Sequence, residues 1–147
     1  MDGKVKAVCI SREKGTKKEN IKEAKLIEKF GIEEDAHAGN WHRQVSLLGI
    51  ESIEKMEQLE MDLELEFGDF AENITTKGIE LYSLPVGTIL NIGDDVKLEV
   101  TQIGKECHHG CEILKQVGKC IMPKEGIFAK VVKGGIIKTG DEIYVIE

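Results

Sequence analysis

The sequence predicts a mainly β protein: a β-rich α+β chain forming a β-barrel with a few short peripheral helices. Three observations lead there. From residue 67 onward, short runs of alternating apolar residues are interrupted by Gly, Pro, Asn and Asp. Within that region "TILNIG" and "VKLEVTQIG" flank "GDD", the pattern of a hairpin. Helices, by contrast, are few and short. Strands that dominate a small chain bury one face and remove their edges by closing on themselves, which favours a barrel. At 147 residues the chain is expected to be one domain, residues 1–147, large enough to bury a core without staples.

Taken in order, "KVKAVCIS" alternates as a strand, with Val5, Ala7 and Cys9 on one face. Cys9 is read as core, because a free cysteine packs as a small hydrophobe. "TKKENIKEAKLIEKFG" places Ile21, Ala24 and Ile27 at helical spacing before Gly31, which predicts a short helix with an extended linker as the alternative. "QVSLL" suits a strand. Ile50, Ile53, Met56 and Leu59 then recur as a helical stripe, with Glu51, Glu54, Glu57 and Glu60 facing solvent. In "FAENITT", Glu72 and Asn73 stand at a strand boundary, where polar side chains satisfy turning backbone. Wall strands are expected at residues 3–10, 88–103 and 127–146, with turns at Gly134–Gly135 and Gly140–Asp141 and the helix near 50–59 packed outside.

The net charge of −7, with Lys and Arg scattered among acids, argues against nucleic acid and anionic membranes as partners, since both require a basic face. "SREKGTKK", residues 11–18, is a local basic cluster that suits a small anion or a solvated loop. Charges interrupt the amino terminus "MDGKVKAVCIS", so no export signal is read and the expected location is the cytoplasm. In that reducing compartment four cysteines point to free, metal-bound or catalytic thiols rather than disulfides.

Two islands concentrate chemistry. In "GIEEDAHAGNWHRQVSLL", Asp35, His37, His42, Arg43, Gln44 and Ser46 surround the only tryptophan, Trp41. Arg43 offers a planar fork for phosphate or carboxylate, and the imidazoles are donors beside it. The same residues also suit a hydrogen-bonded corner plugged by Trp41, and composition leaves both readings open. In "IGKECHHGCEILKQVGKC", Cys107, His108, His109, Cys111 and Cys120 crowd together. Zinc knuckles come in pairs at defined spacings, and no second pair occurs in the chain. Gly110 before Cys111 suggests a turn that presents the thiol at the start of a helix, where the dipole lowers a thiol pKa.

The ordered set "CISREKGTKK", "GIEEDAHAGNWHRQVSLLGIESIEKM", "GDFAENITTKGIEL", "LPVGTILNIG", "VTQIGKECHHGCEI", "CIMPKEGIFAKVVKGG" and "GDEI" resembles the MOSC domain, the molybdenum-cofactor sulfurase carboxy-terminal domain, in its small stand-alone bacterial form. The resemblance spans nearly the whole chain. It implies a MOSC-type β-barrel that holds molybdenum cofactor (molybdopterin) or persulfide sulfur for molybdoenzymes or metal–sulfur cluster assembly. The family's characteristic cysteine maps onto Cys111, which becomes the expected metal ligand and sulfur acceptor, with Cys107 as resolving thiol. His37, His42, Arg43 and Lys17 are the expected cofactor-binding residues. No lysine motif for pyridoxal phosphate is evident, so sulfur would come from a cysteine desulfurase or other donor protein and pass to a molybdoenzyme acceptor, a sulfurtransferase-like role. One departure stands out: the family usually has Gly-Asp where this chain has Glu34–Asp35, and a positive φ there would strain Glu34. Two alternatives remain, a molybdoenzyme reducing N-hydroxylated compounds and a Cys/His zinc or redox-sensing protein.

Overall fold

The computed structural model describes residues 2–11, 19–36, 38–39, 41, 44–51, 54, 72–103 and 126–146. These form strands β1 (Asp2–Ile10), β2 (Glu19–Asn20), β3 (Glu23–Ile27), β4 (Gly31–Ile32), β5 (Val45–Gly49), β6 (Ile74–Lys77), β7 (Ile89–Ile92), β8 (Val96–Ile103), β9 (Ile127–Lys133), β10 (Gly135–Lys138) and β11 (Glu142–Ile146). Strands β11-β7-β8-β9-β5-β6-β1 pair in that order, and β1 also pairs with β11, closing a seven-stranded barrel. Strand β2 extends β1 outside the ring, and β10-β3-β4 form a separate three-stranded sheet.

An odd ring cannot alternate strand direction throughout, so at least one neighbouring pair must be parallel. Here that pair is β5–β6, with Leu47 beside Ile74, while the other barrel pairs are antiparallel. Parallel neighbours cannot be joined by a tight turn and need a long crossover. Residues 50–73 supply it; Ile50, Glu51 and Glu54 are helical, and the remainder of the stripe expected at 50–59, with Ile53, Met56 and Leu59, lies outside the described residues. Glu51 Oε2 accepts from Gly78 N at 2.9 Å, which ties the start of that crossover to the end of β6.

The core lies inside the ring. Val8, Ile10, Leu47, Ile74, Leu90, Ile92, Leu98, Val100, Ile127 and Ile143 belong to one buried cluster. Strand β5 is buried at every residue, so both of its faces are covered; this is why "VSLL" reads as a continuous apolar run rather than an alternation. Cys9 is fully buried, as expected of a core residue.

The face of β1 is not the one that simple alternation gives. A register shift between Val5 and Ala7 changes the phase, so Val5, Val8 and Ile10 share the barrel cluster, whereas Ala7 and Cys9 are buried core residues outside that cluster. Val5 N and O are instead bonded at 2.8 Å by Asp141 O and Gly140 N, from the predicted turn at Gly140–Asp141.

The helix predicted across "TKKENIKEAKLIEKFG" is absent where the segment is described. Residues Glu23–Ile27 are strand β3, with Ala24 and Leu26 buried, Glu23 and Lys25 exposed and Ile27 half-buried. Ala24 and Leu26 also fit a period of two, and pairing with β10 on one side and β4 on the other decides between the two periods. Lys22, at φ 66°, breaks the chain just before the strand. The other expected turn, Gly134–Gly135, is where the chain leaves barrel strand β9 for β10 in the small sheet.

Candidate functional site

The buried polar residues of the first island and of "FAENITT" hold the wall together. Asn73 Oδ1 accepts from Ser46 N at 2.9 Å and from Ser46 Oγ at 3.1 Å, while Asn73 Nδ2 donates to Cys9 O at 3.0 Å. Its backbone N donates to Ser46 O at 2.9 Å, and its O accepts from Cys9 N at 2.6 Å. One asparagine thus fastens β5 to β1 at the mouth of the parallel pair. Thr75 Oγ1 donates to the fully buried Glu72 at 3.1 Å. Asn73 thus matches the expectation of a side chain that satisfies backbone at a strand boundary, whereas Glu72 bonds a side-chain hydroxyl.

Asp35 and Gln44 have the same character. Ser11 N donates to Asp35 Oδ1 at 3.1 Å, and Ala36 N donates to Ser11 O at 2.7 Å. Gln44 Oε1 accepts from Val131 N at 2.9 Å, on the edge of β9 that β5 no longer covers. The hydrogen-bonded corner is therefore real, but Trp41 is not its plug: the indole is 42% exposed.

Trp41 and Gln44 instead line a groove of about 530 Å³ on the outer wall of β8 and β9, together with Lys29, Glu99, Thr101 and Lys130. Lys130 Nζ lies 3.5 Å from Glu99 Oε2, and Thr101 Oγ1 donates to Phe128 O at 3.2 Å. The rim is held by Lys29 N donating to Val131 O at 3.0 Å. Nothing in the sequence singles out Lys29, Glu99, Thr101 or Lys130, because each is an ordinary polar residue on a strand face or in a turn. Only the barrel register brings them beside Trp41.

None of the six predicted site residues belongs to the described part of the chain. Lys17, His37, His42, Arg43, Cys107 and Cys111 all lie outside it. Their flanks are described. His42 and Arg43 fall between Trp41 and Gln44, both of which line the groove. The cysteine segment leaves β8 after Ile103, which pairs with Ile127, itself paired with Leu47. Strands β5 and β8 run in the same sense on either side of β9. The chain therefore enters β5 at Gln44 and leaves β8 three residues further along, an axial offset of about 10 Å.

Glu34 does adopt a left-handed backbone, at φ 71°, as the departure from Gly-Asp anticipates. A non-glycine residue carries a penalty there. Glu34→Gly is expected to raise stability by about 1 kcal/mol, less whatever the freer unfolded chain takes back. Urea unfolding measures this, and a loss of stability would mean that the glutamate side chain supplies an offsetting contact.

Among the described residues no group of three or more His, Cys, Asp or Glu is arranged to hold a metal ion, and no helix is long and apolar enough to cross a membrane.

A family model described as the MOSC domain matches residues 34–144. No curated protein matches the chain. Among solved structures, the chain is similar to the YuaD protein from Bacillus subtilis at TM-score 0.85 and 19% identity, over 99% of this chain and 96% of that one. It is similar to YiiM from Geobacillus stearothermophilus at TM-score 0.74 and 17% identity, over 99% of this chain and 75% of that one. YiiM from Escherichia coli aligns at TM-score 0.71 and 17% identity, over 100% and 70%. At these identities the likeness is one of fold.

Proposed function

This chain belongs to the MOSC domain family, and from that membership we propose that it carries molybdenum cofactor or persulfide sulfur on a cysteine for handover to another protein. The supporting observation is the extent of the family match. The matched residues, 34–144, include His37, His42, Arg43, Cys107 and Cys111. Cys111 is the attachment point. A soft thiolate suits both molybdenum and sulfane sulfur. In sulfur transfer, the Cys111 thiolate takes the outer sulfur of a donor persulfide, and the donor leaves as its thiolate. Attack by Cys107 on Cys111 Sγ then closes a disulfide and expels the sulfur as sulfide, so the two thiols supply both electrons.

The donor set fits the cofactor in part. The groove offers an indole face and hydrogen-bonding groups suited to a pterin ring. Its two lysines, Lys29 and Lys130, are offset by Glu28 and Glu99, which leaves no surplus positive charge for a phosphate. That role falls to Arg43 and Lys17, with His37 and His42 as donors beside them. When bound, the cofactor would supply molybdenum redox chemistry; the protein supplies a grip and a thiolate. In this reading the donor is a cysteine desulfurase or similar protein, the acceptor is a molybdoenzyme, and the exchange is cytoplasmic.

Elemental analysis and labile-sulfur assay of protein from molybdenum-replete cells test the reading. Wild type is expected to carry molybdenum or labile sulfur, and Cys111→Ser to lose it. Iodoacetamide at neutral pH should label Cys111 before Cys107 and Cys120, and leave Cys9 untouched. Zinc in place of molybdenum, or cargo retained by Cys111→Ser, would overturn the assignment.

A further inference from the structure

We propose that the carboxy-terminal end of β5, beside Gly49, holds a monovalent cation, sodium or potassium. Three oxygens face the space that a side chain at Gly49 would fill. Measured from the place of an ideal Cβ, Glu51 Oε1 lies at 3.1 Å, Ile79 O at 3.7 Å and Thr76 Oγ1 at 3.9 Å. Apart from Gly49 and its chain neighbours, these are the three nearest heavy atoms among the described residues. A carboxylate, a carbonyl and a hydroxyl form the kind of oxygen set that hard cations take.

The independent sign is Thr76. The residue is fully buried, yet its Oγ1 has no hydrogen-bond partner among the described residues. Thr75, next to it on β6 and equally buried, donates its hydroxyl to Glu72. An unpaired buried hydroxyl costs stability, and a bound ion offsets that cost.

The fold holds these groups in place. Gly49 and Thr76 are direct partners across the parallel β5–β6 pair. Glu51 is fixed by its other oxygen, since Oε2 accepts from Gly78 N at 2.9 Å. Gly49 lies in a strand and outside the left-handed region, so its backbone does not demand a glycine. What a larger residue would take is the space among the oxygens.

One carboxylate brings one negative charge, which matches one alkali ion. Calcium takes about six to eight oxygens, several of them from carboxylates, and magnesium is held largely through its own waters. The chain's net charge of −7 also favours cations over anions near its surface. Gln44 precedes β5 and Gly49 ends it, so this site is separate from the groove beside Trp41 and does not rest on the carrier reading.

The test compares melting temperatures in KCl, NaCl and choline chloride at equal ionic strength. For a dissociation constant on the order of 10 mM, about 100 mM of the preferred alkali salt should raise the melting temperature by about 3–5 °C over choline chloride. Sodium NMR lines should broaden in the presence of the wild type.

Gly49→Ala fills the space, and its methyl closely meets only the flexible tip of Glu51, so the protein should fold and the salt difference should vanish. Thr76→Val keeps the shape and removes the hydroxyl. It is expected to melt no lower than wild type in choline chloride, and to lose most of the alkali response. Equal melting in all three salts, the result for an ordered water alone, would overturn the proposal. So would an alkali response that survives in both variants. A larger response to calcium chloride that Gly49→Ala abolishes would overturn the monovalent assignment.

Discussion

Asn73→Ala is expected to cost about 3 kcal/mol of folding stability, the largest effect of any single side-chain truncation in the polar layer. The substitution removes the acceptor of Ser46 N and Ser46 Oγ and the donor to Cys9 O. Ser46 is 5% exposed and Cys9 fully buried, so water cannot replace those bonds without opening the wall. Each buried polar group deprived of its partner costs about 1–3 kcal/mol. The site of the loss adds to the effect, because Asn73 sits where the parallel pair of the ring begins and joins its two strands to β1. For a chain of this size the melting temperature should fall by roughly 6–12 °C. Cargo binding well below the transition should be unchanged. Loss of binding at full stability would move Asn73 from the scaffold to the site.

Gly134→Ala is expected to cost about 2–3 kcal/mol through a backbone clash. A Cβ at Gly134 would lie 2.5 Å from Leu26 O and 3.2 Å from Glu28 N. Neither is the tip of a flexible side chain; both belong to the backbone of the small sheet and of the turn that follows it. Relief requires the three-stranded sheet to move away from the barrel, which also loosens Lys29 at the rim of the groove. Gly140→Ala is the control. That residue has φ +98°, and a methyl group added there would meet no heavy atom within 4 Å, so only backbone strain of about 1 kcal/mol is expected. Equal losses in urea unfolding for the two variants would show that packing at the β9–β10 crossing is looser than the contact distances indicate.

The effects of both substitutions come from contacts far apart in sequence, and that separates what was legible from what was not. The hairpin of β7 and β8, the β character of the carboxy-terminal half and the buried Cys9 follow from local rules: alternation, Gly-Asp turns and the apolar nature of a free thiol. Glu34 was legible for a different reason. A left-handed residue leaves a trace as a glycine in relatives and as a strained exception here. The segment at residues 23–27 was not legible, since its apolar residues fit either period and only hydrogen bonding to β10 and β4 makes it a strand.

By itself the sequence determined that this is a barrel-forming member of one family whose reactive residues fall into two islands. Binary patterning and ordered motifs are properties of the chain read in one dimension. Only the tertiary structure decided that Asp35, Gln44 and Asn73 serve the wall, that Trp41 stays exposed, and that Lys29, Glu99, Thr101 and Lys130 meet beside it. The reason is register. Closing seven strands with one parallel pair and bulges in β1, β8 and β9 sets which distant residues become neighbours, and no local pattern carries that information.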